Sequence, residues 1–90
     1  MPTWRGLMQA GDLLVPVTVT YILPSGLGFG SWEGVGILST PMPPEQFPTE
    51  TNIGRISIKR MLMGSSGGCE IIFRGIGEPI GPLAEAMGIR

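Results

Sequence analysis

Histidine is absent from the 90 residues, and cysteine and lysine occur once each, as Cys69 and Lys59. Without histidine the chain lacks the commonest general base and the commonest metal ligand. A single cysteine excludes an internal disulfide and, with no imidazole to join it, a zinc site assembled within the chain. Charge is scarce too: charged residues make up 14% of the chain, against about 25% in an average soluble domain. The formal net charge is −1, so no whole-molecule field draws the protein toward nucleic acid or an anionic surface. Nowhere do about 18 apolar residues follow one another, which excludes a transmembrane helix and leaves no membrane partner in view. Residues 1–5 lead into no apolar stretch of signal-peptide length, and the expected location is cytoplasmic.

What the chain does have is an ordinary hydrophobic content of 42%, with 15 glycines and 9 prolines that punctuate short apolar segments. The length suits one domain, spanning residues 1–90. Strict alternation is clearest over residues 13–23, where Leu13, Val15, Val17, Val19, Tyr21 and Leu23 share a face. Pro16 cannot donate to a ladder, so this strand is expected at a sheet edge or with a bulge. A first strand over residues 4–9 joins it through Ala10-Gly11-Asp12 as a hairpin. A third strand covers residues 31–39, with Gly34 and Gly36 on the face of Trp32 and Leu38, where another element can approach closely. Residues 40–52 hold four prolines and read as an irregular connection, pinned to the core by Met42 and Phe47. Proline at the start and glycine at the end of residues 82–88 bracket two turns of helix, with Leu83 and Met87 on one side.

The last two strands, residues 53–63 and 69–75, meet through the glycine-serine run 64–68, and their parities conflict. Ile56 and Ile58 fall on one parity, while Met61 and Met63 fall on the other. A one-residue bulge at Lys59-Arg60 turns these four inward with Ile71 and Phe73. The same bulge sends Arg55, Lys59, Arg60 and Arg74 outward together as a possible anion-binding face. No aromatics interleave with these cations, as they would in a single-strand binder, so nucleic acid ranks low among partners.

Catalytic chemistry is not in evidence, and neither is a cofactor or metal site. The glycine-spaced run 26–30 leads into a strand, whereas a dinucleotide or phosphate loop needs a helix there. Glu45 and Glu50 fall in the proline-rich connection, and Glu33 and Glu70 have no acidic neighbour two residues away. Cys69, opening the last strand, reads as a buried apolar side chain.

These features predict an all-β fold: a small five-stranded antiparallel barrel or roll, SH3-like or related, with one short C-terminal helix. The expected function is non-catalytic, a binding or interaction module acting as a homo-oligomer, with a protein partner open as well. Scarce charge beside ordinary apolar content leaves uncharged surface, and such patches mark interfaces. The apolar residues expected to supply it are Leu27, Phe29, Leu62, Ile72, Ile80, Leu83 and Met87. Two other readings stand beside it: anion or nucleic-acid binding on the basic hairpin, and a ligand-holding barrel lined by aromatics and methionine.

Overall fold

The computed structural model describes residues 2–22, 30–39, 42–63 and 68–88. Strands β1 (Thr3–Ala10) and β2 (Leu13–Ile22) form the first hairpin, with Ala10 paired to Leu13. Gly11 takes φ 60°, the left-handed backbone that a two-residue hairpin loop needs. Strand β3 (Ser31–Leu38) pairs with β2 on one side and with β6 (Cys69–Ile76) on the other. Strand β5 (Gly54–Met63) pairs with β6, and the two-residue β4 (Glu50–Thr51) links β5 back to β1.

The sheet is therefore a ring of six antiparallel strands, not the five expected. Its closure is narrow. Ala10 pairs with Thr51, Asn52 N–H donates to the Gln9 carbonyl at 3.1 Å, and Gln9 N–H donates to Asn52 Oδ1 at 2.8 Å. Thr51 stiffens the corner: its Oγ1 donates to the Gly54 carbonyl at 2.7 Å and accepts from Ile53 N–H at 3.2 Å. This differs from a fully paired barrel, because β1 before Gln9 and β5 beyond Ile56 have one strand neighbour each among the described residues.

Pro16 lies at neither an edge nor a bulge. Strand β2 is central, and its pairing with β1 runs unbroken through Leu7 and Pro16. Successive residues of an antiparallel strand bond alternately to one neighbour and the other. Tyr21 N–H donates to the Pro2 carbonyl at 3.1 Å, so odd-numbered residues of β2 bond to β1 and even-numbered ones face β3. The missing N–H of Pro16 thus matters only on the β3 side, and there pairing stops at Val17–Gly36, one residue short of it. The proline ends a ladder inside the sheet.

The bulge stands where the parity switch placed it. Pairing of β5 with β6 shifts between Ile58 and Arg60, leaving Lys59 as the extra residue. Ile56, Ile71 and Phe73 are buried, and Ile58 and Met61 pack partly against them. Met63 departs from the expectation: it lies opposite the buried Cys69 but is itself 67% exposed.

Large rings on bare backbone fill the interior. Phe73 occupies the space over Gly34, and Trp32 covers Gly75 and Gly54. The Trp32 and Phe73 rings meet edge to face with centroids 6.5 Å apart, a favoured aromatic geometry. Phe47 is buried and Met42 packs partly against the core, so the proline-rich connection is pinned at both. Helix α1 (Gly81–Met87) ends at Gly88, whose φ of 79° forms the left-handed cap.

Candidate functional site

Alternation that turns one set of side chains inward turns the other set out, and here the outward set is unusually apolar. Leu7, Pro16, Val35, Ile37 and Leu62 are exposed, and Ile72 is half-buried. Register makes them neighbours. Leu7 pairs with Pro16, Val35 with Ile72, and Leu62 and Ile37 flank Glu70 from either side. The next row runs Arg5–Thr18–Val35–Ile72–Arg60 across all five long strands. Between β1 and β6 the surface dips into a hollow of about 400 Å³ lined by Arg5, Pro16, Thr18, Val35, Ile37 and Glu70. A contiguous apolar patch rimmed by a few charges is the usual composition of a protein contact surface.

The residues expected to form an apolar interface divide. Leu62 and Ile72 lie on this outer face, and Ile80 is exposed just before α1. Leu83 and Met87 are corrected: α1 folds back and turns both into the core, leaving neither on the surface. Leu27 and Phe29 lie outside the described residues. Leu7, Val35 and Ile37, the centre of the patch, escaped sequence reasoning. Their signal was present, because alternation that buries Met8 and Trp32 must expose the residues between.

The four hairpin cations are all exposed, and their neighbours differ. Arg55 is held by Glu50, its Nη2 2.6 Å and its Nε 2.8 Å from Glu50 Oε1. Both partners are well exposed, so the pair adds little stability. Arg74 lies between Glu33 on β3 and Ser57 on β5 in the register. Arg60 sits opposite Ile72 at the edge of the apolar face. Lys59 shares with Arg74 a hollow of about 310 Å³ that also contains Glu33, Thr20 and Ser31. Two of the four cations thus have a carboxylate neighbour, and few remain to displace counterions. Titrated against a labelled duplex at ~0.15 M salt, the protein is expected to show no submicromolar binding. Tighter binding would make the hairpin a nucleic-acid surface.

Inside the ring Phe73, Ile56 and Ile71 belong to one cluster of buried apolar side chains. A hollow of about 830 Å³ lies outside the ring along the final segment, between Glu78, Ile80, Ala84 and Glu85. Among the described residues no group of three or more cysteine, aspartate or glutamate side chains is gathered to hold a metal. Cys69 is buried, as expected of a packing residue. No helix among the described residues is long and apolar enough to cross a membrane. No protein family, curated protein or solved structure matches the chain.

Proposed function

We propose that the protein is a non-catalytic, cytoplasmic interaction module that self-associates through the outer face of its sheet. One observation carries this reading: Leu7, Pro16, Val35, Ile37, Ile72 and Leu62 lie on one outer face across five strands, with Glu70 the acid set among them between Ile37 and Leu62. Charge at the rim favours a second copy as the occupant. Arg5 on β1 and Glu70 on β6 lie on opposite sides of the central hollow. A two-fold axis through that hollow sets Arg5 of one copy against Glu70 of the other, and the apolar stripe against itself. Closed two-fold contacts are the commonest arrangement of homo-oligomers.

The decisive variant is Ile37→Lys. Ile37 is 59% exposed in the single chain, so the substitution should change folding stability by under about 0.5 kcal/mol. In a closed contact it puts an ammonium among apolar side chains, and, standing opposite Glu70 in the register, it competes for the carboxylate that would meet Arg5 of the other copy. Sedimentation of the native chain at micromolar concentration should give a multiple of 9.6 kDa, and the variant should return to that mass. A native chain that stays at 9.6 kDa as it is concentrated defeats the proposal.

A further inference from the structure

Two sheet edges lack a strand neighbour among the described residues, and the chain treats them differently. The edge of β5 beyond Ile56 carries a bulge and the sole lysine, Lys59, both devices that discourage another strand from adding. The edge of β1 has neither. It pairs with β2 in regular register over all eight residues. Its outward groups can be identified. The Pro2 carbonyl bonds toward β2, while Gln9 bonds the other way, to Asn52. By alternation Thr3, Arg5 and Leu7 point their N–H and C=O groups off the open edge, toward no described strand. Trp4, half-buried, sits between the first two of these and lays its ring over Gly6, with Cζ2 2.6 Å from where a Cβ would stand.

We infer that this edge takes β1 of a second copy of the chain, antiparallel, about a two-fold axis at Trp4. Three such registers set at least two of Thr3, Arg5 and Leu7 against the same set in the second copy, centred on Trp4, Arg5 or Gly6. Centring on Gly6 puts Thr3 opposite Gln9, whose N–H and C=O already bond to Asn52. Centring on Arg5 opposes two guanidinium side chains, which is unfavourable for directly paired residues. Centring on Trp4 lets Thr3 and Arg5 exchange backbone bonds with Arg5 and Thr3 of the second copy. The two Trp4 residues then form a non-hydrogen-bonded pair, where cross-strand side chains approach closest and aromatic pairs are favourable. The contact uses the edge and not the outer face. It lays the two apolar faces side by side, so it adds to the association proposed above without depending on the hollow around Ile37.

The test uses the native chain, half isotope-labelled and half unlabelled, at millimolar concentration. An isotope-filtered nuclear Overhauser spectrum should show contact between the Trp4 Hα protons of the two copies. Amide exchange at Thr3 and Arg5 should slow by about tenfold or more relative to a dilute sample. An associated protein in which Thr3 and Arg5 exchange freely overturns the edge contact and leaves the outer-face reading standing. Contact between the two Arg5 residues in place of Trp4 overturns the register. A protein that remains monomeric at millimolar concentration overturns both proposals.

Discussion

Gly75→Val is expected to destabilise the protein by about 3 kcal/mol or more, the upper end of the range for an overpacked core. A Cβ at this position would overlap Trp32 Cε2, Cδ2 and Nε1. Trp32 has nowhere to retreat. Its far side meets Gly54, where another Cβ would stand 2.9 Å from Cζ2, and its edge packs on Phe73. Its Nε1–H donates to the Gly77 carbonyl at 3.2 Å, so a displaced ring also gives up a hydrogen bond. The control is Gly6→Ala, which meets Trp4 Cζ2 and Cη2 at 2.6 and 2.8 Å, a similar overlap on paper. Trp4 is half-exposed beside an open edge and can swing away, so this change should cost under about 1 kcal/mol. Urea titrations of the two variants separate these cases. A domain of this size loses roughly 4–8 °C of melting temperature per kcal/mol, so thermal melts should differ visibly as well. Equal midpoints for Gly75→Val and the native chain would mean that Trp32 does not lie against Gly75.

Features that depend on local pattern were legible in the sequence. The bulge followed from the parity change between Ile58 and Met61, and the helix from proline and glycine placed at its two ends. Strand β4 was not legible, because Glu50 and Thr51 are too few to show a period, and the pairing of Thr51 with Ala10 joins residues over forty positions apart. Ring closure rests on the Asn52 side chain bonding the Gln9 N–H, a tertiary event with no sequence signature. Pro16 misled because a missing donor excludes only one of two neighbours, and which neighbour depends on strand parity. The apolar outer face was half legible. Leu62 and Ile72 emerged because resolving the hairpin register forced an outward set to be named, whereas the other strands were read for their inward faces only. Carrying the same step through β1 and β3 names Leu7, Val35 and Ile37.

Leu83→Ala is expected to lower stability by about 2–5 kcal/mol, the cost of truncating a fully buried leucine that leaves a cavity. A helix of seven residues is too short to persist on its own, so α1 exists because the ring holds it. Three contacts do so. Leu83 and Met87, one turn apart, belong to the buried cluster; Ile80 N–H donates to the Ile53 carbonyl at 3.0 Å; and the Tyr21 hydroxyl donates to the Ala86 carbonyl at 3.2 Å. Tyr21 is itself a core residue of β2, so the helix is tied to the far hairpin as well as to the corner before β5. Loss of Leu83 should therefore loosen the whole ring in one transition, without releasing the helix in a separate early step. Tyr21→Phe removes only the hydroxyl bond and should cost about 1 kcal/mol, which sets the scale for the polar contact alone. Melts followed by both far- and near-ultraviolet circular dichroism decide the matter. Coincident curves, with Leu83→Ala melting roughly 8 °C or more below the native chain, are the expected result. A variant that melts with the native protein would show that α1 does not close the core.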